Sequence, residues 1–88
     1  MTNEERTRNI QAQIVSTQGY ITYWNAMVVS GGYKQRKTTV GYGSNEDRTM
    51  KFRDMTDEEK LEDTLATLLR HVKRVWELTD ALMMVGNE

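Results

Sequence analysis

MTDEEKLEDTLATLLRHVKRVWELTDALMMV, residues 55–85, is the stretch that decides how this chain folds. Thr56 and Glu59 stand three apart ahead of an apolar run. This is the S/T-x-x-E capping box, in which the Thr hydroxyl takes one orphan helix N–H and the Glu carboxylate reaches back for another. Beyond it Leu61, Leu65, Leu68, Val72, Val75 and Leu82 recur at alternating steps of four and three, with Thr79 as the gap. That spacing stacks side chains along one face and predicts a helix over 57–85. Leu69, Trp76 and Met83 widen the stripe on one side and Leu78 on the other. The apolar arc then approaches ~180°, against ~100° for a one-sided surface helix. One partner helix does not cover so wide an arc. The pattern points to association with further copies of the chain, with Leu65, Leu69, Val72, Trp76 and Met83 as the expected oligomer contacts.

A second capping pair, Thr2 and Glu5, opens the chain, and MTNEER at its start nearly repeats MTDEEK at Met55. The apolar spacing beyond the two does not match, so they read as two helix starts and not as a duplicated unit. Ile10, Ile14, Ile21, Trp24 and Val28 keep the four-three rhythm with Thr17 as a gap, which predicts a helix over 3–30. Gly19 weakens it by ~1 kcal/mol relative to Ala and marks a bend or a close helix contact. Gly31 and Gly32 supply the stop, because Gly accepts the left-handed conformation that ends helices. Tyr20 and Tyr23 flank Trp24 and cover the edges of its stripe with one wet end each. Met27, Met83 and Met84 read as adaptable core filler.

Between the helices GGYKQRKTTVGYGSNEDRTMKFRD, residues 31–54, has no helical period. Arg36 to Tyr42 is rich in Thr, Val and Tyr, and Arg48 to Arg53 alternates Met50 and Phe52 with polar residues, so each reads as a short strand. Gly43 to Asp47 is the turn between them. The insert, 33–53, is then a β-hairpin with Val40, Tyr42, Met50 and Phe52 on its inner face. An isolated two-stranded hairpin is marginal in water, so it must lie on the helices or on a neighbouring copy. The alternative, a long structureless loop, is uncommon in a compact domain. Because the insert returns the chain to the end of the first helix, the two helices pair antiparallel. The expected fold is therefore mainly α. It is a single domain over 1–88, a long antiparallel helical hairpin with a small inserted β-hairpin, oligomerising into a helical bundle.

Composition limits the function classes. At 88 residues one core only marginally offsets chain entropy, and association would help. Twelve Lys plus Arg against 13 Asp plus Glu, a net charge of -1, speaks against a general nucleic-acid coat but permits a local basic patch. With no Cys, disulfides, thiolate zinc sites and a cysteine nucleophile are excluded. The polar MTNEERTRN start lacks the apolar run of a secretory leader, and no stretch reaches the ~18 apolar residues of a membrane span. The expectation is a soluble, cytoplasmic protein with no membrane partner.

Several motifs fail on inspection. Thr39-Val40-Gly41-Tyr42-Gly43 is identical to the filter string of potassium channels, but filter carbonyls work only when four copies are held between membrane helices. Gly41-x-Gly43 is no dinucleotide fingerprint, because Glu46 stands where the third Gly belongs. His71, beside Arg70, Lys73 and Arg74, reads as structural, since neither a nucleophile nor an orienting carboxylate is evident. Asp57, Glu58, Glu59, Glu62 and Asp63 read as the acidic first turns that the helix dipole favours, not as metal ligands.

The basic insert is more informative. Lys34, Arg36, Lys37, Arg48, Lys51 and Arg53 are opposed only by Glu46 and Asp47, and they interleave with Tyr33, Tyr42 and Phe52. Cations for phosphates and aromatic faces for bases are the chemistry of nucleotide and single-strand binding. The bland counterpart is a solvated hairpin whose cations answer the acidic start of the second helix and block edge pairing. The function expected from sequence is a non-catalytic oligomer, with no cofactor or metal, that captures a nucleotide or short nucleic acid. Arg36, Lys37, Arg48 and Lys51 would hold phosphate, Tyr33 or Tyr42 would stack, and Lys34 and Arg53 would complete the patch, with copies meeting around a shared pocket. The alternative is a protein-binding inhibitor or adaptor, of the small kind viruses encode, acting through the apolar face of the second helix.

Overall fold

A computed structural model describes residues 2–43 and 51–86. In chain order it has α1 (Asn3–Val29), a 3₁₀ turn (Gly32–Gln35), β1 (Thr39–Tyr42), β2 (Lys51–Asp54) and α2 (Asp57–Gly86). The chain is mainly helical, with one small antiparallel sheet.

Both helix starts are built as their sequence dictates. Thr2 accepts a hydrogen bond from the Glu5 N–H at 3.1 Å. At α2 the box is reciprocal: the Glu59 N–H donates to Thr56 Oγ1 at 3.2 Å and the Thr56 N–H donates to Glu59 Oε1 at 3.0 Å. Helix α1 ends where Gly31 takes φ 76°, a left-handed conformation that costs glycine little. The chain then makes the 3₁₀ turn, which the sequence patterns do not announce.

The two helices run antiparallel. Arg74 Nη2 donates to Gln13 Oε1 at 3.2 Å, and Tyr20 stacks on His71 with centroids 5.3 Å apart. Near the other end of the seam, Arg36 links Trp24 of α1 to Thr64 of α2. The seam is rotated from the expected stripe. Leu78, placed by sequence at the flank, is the buried hydrophobic, at 5% exposure, while Leu65, placed at the centre, is exposed. The companions of Leu78 are Thr17 and Thr64, which the rhythm counts as a gap and as an off-stripe polar residue. Each threonine donates its hydroxyl to the carbonyl four residues back, Thr17 to Gln13 and Thr64 to Lys60, both at 2.7 Å. Satisfied in this way, a small polar side chain can be buried without a desolvation penalty. Gly19 makes no close helix contact: a Cβ built there meets nothing within 4 Å.

The first strand starts at Thr39, three residues later than expected, and the faces of the hairpin are divided differently. Its register pairs Thr39 with Asp54, Val40 with Arg53, Gly41 with Phe52 and Tyr42 with Lys51. Directly paired residues share a face, so Val40 and Tyr42 lie with Arg53 and Lys51, while Phe52 points to the opposite side and is exposed. The inner face expected to unite Val40, Tyr42 and Phe52 does not form. Met50 and the turn at 44–47 lie outside the described residues.

The result is a thin slab, 53 × 37 × 15 Å, with a radius of gyration of 18.3 Å. A compact chain of this length would have a radius near ~12 Å. No helix among the described residues is long and apolar enough to cross a membrane.

If the seam turns on Leu78, Leu78→Ala should lower the unfolding free energy by about 2–4 kcal/mol. The exposed-face control Val15→Ala should stay within ~0.5 kcal/mol. Urea unfolding followed by circular dichroism measures both, and equal effects would place the seam elsewhere.

Candidate functional site: an aromatic cleft between the helices

The basic insert is not one patch. Arg36 turns inward. Its Nη1 donates to Thr64 Oγ1 at 2.7 Å and pairs with Asp63 Oδ2 at 2.9 Å, and its Cζ lies 4.8 Å from the Trp24 ring centroid. Arg53 forms a two-pronged pair with Glu59, at 2.7 and 3.0 Å. The Lys34 carbonyl accepts from Lys60 Nζ at 3.0 Å, and Tyr33 is half-buried in the 3₁₀ turn. Lys37 borders a polar recess of about 360 Å³ with Gln35, Arg36, Thr38, Asp54 and Lys60. Tyr42 and Lys51 are exposed partners at the far end of the strands, and Arg48 lies outside the described residues. The structure thus brings Arg36 and Lys37 together at the hairpin base and leaves Tyr42 and Lys51 apart from them.

The larger concavity lies elsewhere. A cleft of about 760 Å³ runs along one side of the seam, lined by Ser16, Gly19, Tyr20, Tyr23, Trp24, Thr67 and His71. Its walls are ring faces. Tyr20 stacks on His71 at an interplanar angle of 21°, and Tyr23 meets Trp24 edge-on, with centroids 5.2 Å apart at 83°. Tyr20 and Tyr23 are both more than half exposed, so ring surface faces the opening. Gly19 helps keep the floor open, since any side chain there would project into that free space.

Two guanidinium groups contact residues that line the cleft. Arg36 covers Trp24, with much of its charge answered by Asp63. Arg70 donates to Thr67 Oγ1 at 3.0 Å and makes no ion pair among the described residues. Arg74, one turn further, pairs with Glu77 at 3.4 Å. Sequence reasoning did not bring these residues together because they come from helices that meet some fifty positions apart in the chain. The one available hint was that Tyr20, Tyr23 and Trp24 fall within two turns of one helix.

Among the described residues no group of three or more His, Asp or Glu is placed to hold a metal ion. The strongest electrostatic perturbation belongs to the cap. Hydrogen bonding from Arg53, then from the Thr56 backbone, holds the Glu59 carboxyl well below the usual range, at about 2. Arg53 is raised in return, chiefly through the same bond. Compared with protein-family models, with curated proteins and with solved structures, the chain matches none.

Because the folded pKa of Glu59 lies below its unfolded value, the cap contributes stability above pH 4.5 that is lost as pH falls towards about 2. Glu59→Gln should therefore flatten the dependence of unfolding free energy on pH inside that window and leave the slope above it unchanged. Denaturant titrations at a series of pH values test this, and an unaltered acid limb would remove Glu59 from the account.

Proposed function

We propose that this protein is a non-catalytic binding protein that captures an anionic aromatic ligand of the nucleotide class. The observation that carries the reading is the aromatic cleft whose lining residue Thr67 accepts a hydrogen bond from Arg70. A planar base stacks favourably on ring faces, at ~1–3 kcal/mol per base in single-strand binders. A guanidinium free of a carboxylate partner suits a phosphate by fork geometry as well as charge. In this reading Tyr20 and Tyr23 offer stacking surfaces, Thr67 a hydroxyl, and Arg70 the anion contact.

The insert has a secondary part in the reading. Arg36 and Arg53 are already matched by Asp63 and Glu59, so recruiting them for phosphate would mean breaking internal pairs. Lys37 and Lys51 keep their side chains at the surface and can add long-range attraction for an anion.

Thermal unfolding at fixed salt tests the proposal. A nucleotide at about a hundredfold excess over its Kd adds ~2.7 kcal/mol by linkage. For a chain of this size that is a rise of about 10–20 °C in Tm. Tyr20→Ala and Arg70→Ala should abolish the rise while helix content is kept. Loss of the rise in Lys37→Ala or Lys51→Ala, with Tyr20→Ala still responding, would put the ligand on the hairpin. No rise from any nucleotide or short oligonucleotide would end the reading.

A further inference from the structure

Helix α2 keeps a second apolar stripe outside the seam. Leu65, Leu69, Val72, Trp76 and Met83 follow the 4-3-4-7 spacing of a heptad seam, with Thr79 filling the long step. Leu69 is 50% exposed, Trp76 64% and Met83 63%. On a helix of 30 residues this is a continuous ridge, not a scatter of single apolar side chains.

The size of the molecule says what covers it. Its accessible surface is 6819 Å² for a mass of 10.3 kDa. A folded monomer of that mass exposes about 5,400 Å² by the usual scaling. The excess is on the order of 1,400 Å², more than the ~800 Å² that each partner gives to a standard interface. At 15 Å the slab is one helix thick, whereas stable domains close a core between two packed layers. We infer that the missing layer is a second copy of this chain, docked through the stripe of α2.

The pattern also sets the direction. Parallel α2 helices would set Asp57, Glu58, Glu59 and Glu62 beside the same four carboxylates of the other copy and align the two helix dipoles. An antiparallel pair avoids both. Centred at the level of residue 74, it matches Leu65 with Met83, Val72 with Trp76 and Leu69 with the gap residue Thr79, so no member of the stripe faces a charge and the one ring, Trp76, meets the small Val72. Such a contact is isologous and closes at two copies. It leaves the aromatic cleft open, because Thr67 and Trp76, nine residues apart, point ~180° from each other around the helix. The inference therefore stands or falls separately from ligand binding.

Light scattering and sedimentation of the full chain, with circular dichroism as the control for folding, give the first test. The wild-type protein should run as a dimer at micromolar concentration, and Trp76→Glu and Leu69→Glu should each run as a helical monomer. Since the chain has no cysteine, Leu65→Cys chains mixed with Met83→Cys chains should oxidise to the mixed disulfide in preference to either homodimer. Those positions lie about 27 Å apart along one helix, so no bridge can form within a chain carrying both. A wild-type monomer up to millimolar concentration would overturn the inference, including where that monomer captures a foreign protein through the stripe. A dimer that survives both glutamate substitutions would overturn the surface, and preferential Leu65→Cys homodimers would overturn the antiparallel pairing.

Discussion

One helix can cover only one side of another, and the rest of this structure follows from that limit. The apolar arc of α2 is wider than the seam that α1 can fill, so α1 must settle on one part of it. It settles on the edge that holds Thr64 and Leu78. Threonines that return their hydroxyls to their own helix carry no unmet polar group into the contact and are slimmer than leucine. They take up less room in the seam than Leu65 or Leu69 would. What α1 leaves uncovered is the apolar ridge that holds Leu69, Trp76 and Met83.

With so little core, the insert is held by polar ties at its base. Arg36 is the central one, since it reaches Trp24 of α1 and both Asp63 and Thr64 of α2 from a single side chain. The pairing of Arg53 with Glu59 is more exposed, where ion pairs are worth little individually. Its importance is geometric, because Glu59 also caps the Thr56 N–H and so fixes the end of β2 to the start of α2. The Met55 N–H adds a backbone bond to the Thr38 carbonyl at 3.1 Å, which closes the hairpin at the same point. Two of the cations that composition offers for phosphate are thereby occupied in joining the insert to the helices.

The parts of this fold legible in the sequence are those fixed by near neighbours. Both helices, both caps, the glycine stop at Gly31 and the existence of a hairpin depend on residues a few positions apart, and periodicity and capping chemistry report them. The phase of the seam was not legible, because hydrophobicity ranks Thr64 below Leu65 although the threonine, its hydroxyl returned to its own helix, is the one that is buried. Strand faces depend on register, and a shift of one residue moves Phe52 to the other side. The fates of Arg36 and Arg53 depend on carboxylates that the turn of the chain brings near. The cleft was hidden for a similar reason, since its two walls come from opposite ends of the sequence.

A slab one helix thick has two broad faces, and their chemistry is not interchangeable. The ridge on α2 carries no cation, only the indole N–H of Trp76 as a donor, and would hold a phosphate chiefly by stripping it of water. The cleft has the opposite defect as a contact surface. Burying it between copies would desolvate Arg70 and two tyrosine hydroxyls and would require a partner for each. The Arg70 charge is tolerable because its side chain is exposed, where water can answer it. An uncharged apolar ridge and an aromatic cleft beside a cation thus differ in what each can hold. The roles proposed for the two faces differ as the faces do in what they cost to remove from water.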